Sequence, residues 1–97
     1  MIKTGLDFKE YKTIHKECYD LSVKKNNDYG CNSLIKYGNK GMLIRVSDKI
    51  DRLDNLIWEQ KDQKVSDEKV EDTLKDIINY CTYMLMQSRG KLEDVSL

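Results

Sequence analysis

Apolar residues recur at three- and four-residue intervals in three stretches of this chain. Phe8, Tyr11, Ile14, Cys18 and Leu21 form the first series. Their spacing predicts an amphipathic helix over residues 7–25. N-N-D-Y-G (26–30) then supplies the asparagines and glycine that end a helix in a chain without proline. Residues 31–40, with two asparagines and Gly38 followed closely by Gly41, leave room for one short helical turn at Ser33–Tyr37.

Leu43, Val46, Ile50, Leu53 and Ile57 give the second series, a helix over residues 41–60. K-D-Q-K-V-S reads as a linker. Ser66 is then placed to cap a third helix, with Asp67 and Glu68 in its first turn. Val70, Leu74, Ile77, Cys81, Met84 and Ser88 mark that helix, which Gly90 ends. No stretch shows sustained strand alternation. The expected fold is all-α: a small bundle of three main helices and one short helical turn. It forms a single domain over residues 1–90, with a tail at 91–97.

Composition limits what such a bundle does. With 97 residues the core is modest, and a chain of this size buries only about 60–65% of its unfolded surface. Apolar residues make up 39% and charged residues 35%, so a second copy, a ligand or a metal is expected to add stability. Seventeen basic and seventeen acidic residues cancel, which removes the global field that extended nucleic-acid binding needs. The three cysteines lack C-x-x-C spacing. Cys18 and Cys81 fall on the apolar series and read as small core residues in a reducing, cytoplasmic setting. No apolar run reaches membrane-spanning length and no signal-peptide layout opens the chain.

Charge changes the picture on the helix faces opposite the apolar series. At about 100° per residue, Asp48 lies opposite the second series, flanked by Arg45, Arg52 and Asn55. Asp72, Asp76, Asn79 and Tyr83 share one line on the third helix, also away from its apolar series. Such faces are ordinarily solvated, and an i,i+4 pair such as Asp48–Arg52 stabilises a helix by only about 0.3 kcal/mol. Two like charges at Asp72 and Asp76 instead cost stability unless a cation lies between them. Carboxylates from facing helices suit Mg²⁺, which commonly bridges one or two of them to substrate phosphates. Asp48, Asp72 and Asp76 are therefore the candidate metal ligands. Arg45, Lys49 and Arg52 are the candidate phosphate ligands beside them. His15, the single histidine, reads as a half-buried structural residue.

K-N-N-D-Y-G (25–30), R-V-S-D-K-I-D-R-L (45–53) and V-S-D-E-K-V-E-D-T-L-K-D-I-I-N-Y (65–80), in that order, resemble the nucleotide-modification-associated domain type 1 family. That is a small, largely phage-borne family, and the resemblance spans roughly residues 8–87. The layout is also distantly similar to the all-α nucleoside triphosphate pyrophosphohydrolases of the MazG and dimeric dUTPase group. Those are helical oligomers that bind Mg²⁺ through E-E-x-x-E and E-x-x-D.

The resemblance implies a MazG-like homodimer or higher oligomer in the host cytoplasm. Asp48 would stand for a first-helix acid, and Asp72 and Asp76 for the second-helix pair. Lys25 joins the phosphate ligands. Asn26, Asp28 and Tyr29 of the N-N-D-Y-G turn, with Asn79 and Tyr83, would face base and ribose. The sequence departs from the hydrolases at Lys49, Arg52 and Thr73, which stand where they keep glutamates. Two functions stay open on these residues: Mg²⁺-dependent pyrophosphohydrolysis, and a non-catalytic sponge that sequesters a host immune-signalling cyclic nucleotide against antiviral defence. A helical protein-interaction module is the third.

Overall fold

A computed structural model describes residues 5–59 and 63–92, side chains at 63–67 apart. Three helices make up the fold: α1 (Phe8–Tyr29), α2 (Asn32–Trp58) and α3 (Gln63–Ser88), with no strand among the described residues. The all-α bundle expected from the periodicity is the fold observed.

α1 starts where the Asp7 carboxylate accepts hydrogen bonds from the backbone N–H groups of Lys9 and Glu10, at 3.0 and 3.2 Å. It runs one turn further than expected. The N-N-D-Y segment is its last turn rather than a loop, and Gly30 stops it with a positive φ of 71°. α2 contains the short helical turn and the second main helix in one span, broken at Gly38 (φ 60°, ψ −152°). α3 begins at Gln63, three residues before the expected cap, so Ser66 lies within the helix. Gly90 closes it: its N–H bonds to the Gln87 carbonyl, and the N–H of Lys91 reaches back to Met86. From residue 93 the expected tail lies outside the described residues, as does part of the K-D-Q-K-V-S linker.

Lys49 meets Asp76 and Gly38 meets Gln87, so α2 and α3 run antiparallel as a hairpin. α1 packs on α3 rather than on α2: Lys75 bonds Glu17 at 3.0 Å, and Ser22 bonds Tyr83 at 2.5 Å. The side chains fully enclosed here are few. Cys18, Met42 and Val46 are the buried apolar residues, joined by Thr73 and Asn79. Thr73 donates its hydroxyl to the Lys69 carbonyl at 2.6 Å, which removes the cost of enclosing it.

The hairpin therefore closes along a different line from the predicted one. On α2 beyond Gly41, Met42 and Val46 are enclosed and Lys49, Leu53 and Leu56 half-enclosed; Leu43, Ile50 and Ile57 are exposed. On α3, Thr73 is enclosed and Val70, Asp76, Ile77, Tyr80, Met84 and Gln87 are half-enclosed, while Leu74 and Cys81 are exposed. Each helix is turned by part of one residue step, and polar groups enter the contact because they find partners there. Phe8, Tyr11 and Ile14 are exposed as well, because α1 packs on α3 through its later turns, around Glu17, Cys18, Ser22 and Lys25. None of the described helices is long and apolar enough to cross a membrane.

Candidate functional site

The last two turns of α1 carry Ser22, Lys25, Asn26 and Tyr29 on successive levels, and Gly30 turns the chain directly into Cys31 and α2. α3 passes below with Asn79, Tyr80 and Tyr83, and Arg45 reaches in from α2. These elements enclose a cavity of about 720 Å³, within the usual range for small-ligand sites. The Ser22–Tyr83 hydroxyl contact pins α1 to α3 at its wall. Tyr80 and Tyr83 meet edge to face with ring centroids 5.9 Å apart, giving that wall an aromatic lining.

One edge of the cavity is cationic. The Lys25 ammonium bonds the Asp76 carboxylate at 3.0 Å, and Lys49 approaches the other oxygen of the same carboxylate at 3.2 Å. Asp76 thus ties all three helices together. Partial burial works against the Lys25 charge. The hydrogen bond and charge of Asp76, with smaller contributions from Tyr80 and Tyr83, outweigh that and raise its pKa above the ordinary 10.5. At neutral pH this edge is charged. Arg45 adds a cation that also borders a smaller cleft, formed with Lys36, Tyr37, Lys40, Gly41, Ile44 and Asp48.

Six of the twelve residues expected at a ligand site line the cavity together: Lys25, Asn26, Tyr29, Arg45, Asn79 and Tyr83. Asn79 is only 8% exposed, whereas Tyr29 is 84% exposed and stands at the mouth. The other six lie elsewhere. Asp28 is exposed on the last turn of α1, Arg52 is exposed on α2, and Lys49 and Asp76 are paired behind the cavity. Asp48 borders the smaller cleft, and Asp72 is exposed on α3.

Asp76, Asn79 and Tyr83 face inward, not outward as the periodicity implied, because Lys25, Lys49 and Ser22 meet Asp76 and Tyr83 there. Among the described residues no group of three His, Cys, Asp or Glu side chains is placed to hold a metal ion. Asp76, the inward member of the aspartate trio, is already neutralised by two lysines. Asp48, Asp72 and Asp76 are thus not gathered at one point within one chain.

Ser22, Tyr19 and Tyr80 also line the cavity and were not singled out from the sequence. Tyr80 precedes Tyr83 by three residues and Ser22 precedes Lys25 by three, so helical spacing held the signal. His15 is exposed rather than half-buried, and lies against Tyr11 at a tilt of 39° with centroids 4.7 Å apart at the cavity's edge. Cys81 is exposed, whereas Cys18 is enclosed as expected and burial pushes its thiol pKa above 9.0.

A small all-α chain whose three helices converge on a cavity of cations, amides and tyrosines is the class of protein these features define. The profile of the family described as nucleotide modification associated domain 1 matches residues 25–87. The chain belongs to that family. The match opens at Lys25 and closes at Gln87, so it takes in the N-N-D-Y-G segment, Arg45 and the α3 wall. No protein of curated function and no solved structure matches the chain.

Proposed function

We propose that this chain binds a nucleotide in the cavity between the end of α1 and the middle of α3, and holds it without hydrolysing it. The observation that carries this reading is the gathering of Lys25, Arg45, Asn26, Asn79, Tyr29 and Tyr83 around one cavity of about 720 Å³. Cations answer phosphate oxygens. Amides pair with the edge of a base, and the exposed Tyr29 ring at the mouth offers its face for stacking. Membership of a nucleotide-modification-associated family supports the same ligand class.

The charge arrangement favours retention over turnover. The Asp76 carboxylate, the acidic group nearest the cationic edge, is taken up by Lys25 and Lys49. Among the described residues no carboxylate lines the cavity to orient a water, since that lining holds neither Asp nor Glu. Pyrophosphohydrolysis, the first function the sequence left open, has less support from this arrangement. Sequestration of a signalling nucleotide, cyclic or linear, is the role in which such a binder acts.

The test is incubation with nucleoside triphosphates and cyclic nucleotides, with and without Mg²⁺, followed by denaturation and analysis of what is released. Intact nucleotide recovered from the protein is the expected result. Multiple turnovers of any of them, in amounts exceeding the protein, would overturn it. Unchanged thermal stability with every nucleotide at high concentration would instead leave an interaction module.

A further inference from the structure

Many of the apolar residues that the sequence marks as core form one side of the hairpin, and among the described residues nothing covers it. Lys49 on α2 and Asp76, Asn79 and Tyr83 on α3 mark the side of the hairpin on which α1 lies. Counting about 100° per residue from the contact line between the helices, Leu43, Ile50 and Ile57 fall on the opposite side of α2. Leu74, Cys81 and Leu85 fall on that same side of α3. All six are exposed; Ile50 is 48% and Leu74 45% accessible. Val70, Ile77 and Met84 extend the side toward the hairpin seam and are half-exposed. Between Val70 and Leu85 this side of α3 carries no charged residue, and on α2 Asp54 is the charge that intrudes.

Two measures say how much cover is missing. The radius of gyration is 15.7 Å, against about 12.5 Å for a compact chain of this length. The accessible surface is 8228 Å², against roughly 5,800 Å² for a compact monomer of this mass. The excess of roughly 2,400 Å², shared with the exposed start of α1, is large enough to include what one partner contributes to an obligate homodimer, about 1,000–2,500 Å². A flat apolar side on an antiparallel hairpin is self-complementary, since a two-fold axis through its middle lays α2 of each copy beside the hairpin of the other.

We propose that a second copy of this chain covers that side, so that two hairpins form a four-helix core and α1 with its cavity lies on each outer face. The expected interface centres on Ile50 and Leu74, with the exposed Trp58 at its end. The sequence pattern then reports a true core, one completed between copies. The proposal stands apart from nucleotide binding, because no residue of the cavity edge (Lys25, Asn26, Arg45) belongs to it.

The experiment is light scattering of the full chain with its Leu74→Lys and Tyr11→Lys variants, together with alkylation of Cys81 read by mass spectrometry. The expected result is a dimeric mass for the parent and for Tyr11→Lys, with Cys81 alkylated at least tenfold slower than in unfolded chain. Leu74→Lys is expected to be monomeric with Cys81 reactive, or unfolded. If it unfolds, the parent's thermal midpoint decides, and it should rise with protein concentration. A monomeric parent with freely reacting Cys81 would overturn the proposal. So would a dimer that Tyr11→Lys dissociates and Leu74→Lys leaves intact, which would place the contact on the start of α1.

Discussion

Lys25 on α1 donates to Asp76 on α3 at 3.0 Å, and this bond holds the cavity's cationic edge in place before any ligand arrives. Asp76 competes from behind the cavity with any phosphate for the Lys25 ammonium. Asp76→Asn removes that internal anion while keeping the size of the side chain. Its stability cost is small, below about 1 kcal/mol for each pair, since Lys25 and Lys49 are partly solvated. Nucleotide affinity should rise, because the Lys25 ammonium at the cavity no longer has to leave a carboxylate. Urea denaturation and calorimetric titration measure the two effects, and a loss of affinity in a folded variant would contradict this account.

The same pair sets a pH dependence. The folded pKa of Lys25 lies above 10.5, so its contribution is complete below that value and is lost as pH rises through the folded pKa. Neutral and mildly alkaline solutions should therefore leave the α1–α3 attachment unchanged. Stability should fall at pH above 10.5, and Lys25→Met should lack that part of the fall. Denaturation across the alkaline range, parent against variant, checks the sign.

Tyr29 and Tyr83 separate binding from folding. Tyr29 is 84% exposed, so Tyr29→Ala should leave stability within about 0.5 kcal/mol. Losing a stacking ring costs about 1–3 kcal/mol per base, or roughly 5- to 150-fold in Kd. Tyr83→Phe removes the hydroxyl that meets Ser22 at 2.5 Å and should cost about 1 kcal/mol of stability along with affinity. Equal effects of both changes on affinity and on unfolding would argue against the division.

Arg45 is exposed on α2 and borders both the cavity and the smaller cleft beside it. Arg45→Gln should spare the fold and weaken nucleotide binding, with a shallower dependence of affinity on salt, because one phosphate contact is gone. Titrations at two ionic strengths measure it. An unchanged salt dependence would remove Arg45 from the phosphate site.

What the sequence disclosed follows from what periodicity can report. It located the three helices and the turn before Gly38, because apolar spacing and glycine act locally. It also placed Lys25, Asn26 and Tyr29 near Asn79 and Tyr83, through motifs whose order matched a family. It put Leu43, Ile50 and Leu74 in the core, because a stripe shows which side is apolar and not whether the same chain covers it. The polar line Asp76–Asn79–Tyr83 looked solvated for a related reason. Its partners Lys25, Lys49 and Ser22 lie on other helices, some 27 to 61 positions away, where spacing along α3 carries no trace of them.

Gly38 and Gly41 are the last case, and they differ in kind. Gly38 holds φ 60° and ψ −152°, a region nearly closed to other residues, and this break sits against Gln87 near the end of α3. Gly38→Ala should cost about 1–3 kcal/mol through backbone strain. The added methyl group also meets the Gln87 amide nitrogen at 2.8 Å, a flexible end that can swing aside. Gly41 has ordinary helical backbone, and alanine there would normally gain about 1 kcal/mol from helix propensity. A methyl group on Gly41, however, overlaps the Cβ of Tyr37, an atom fixed to the backbone that moves only if the kink moves. Gly41→Ala should therefore destabilise, by about 1–3 kcal/mol, and displace Tyr37 from beside Arg45. Urea midpoints at unchanged m-value test both changes, and a raised midpoint for Gly41→Ala would mean that the kink yields freely.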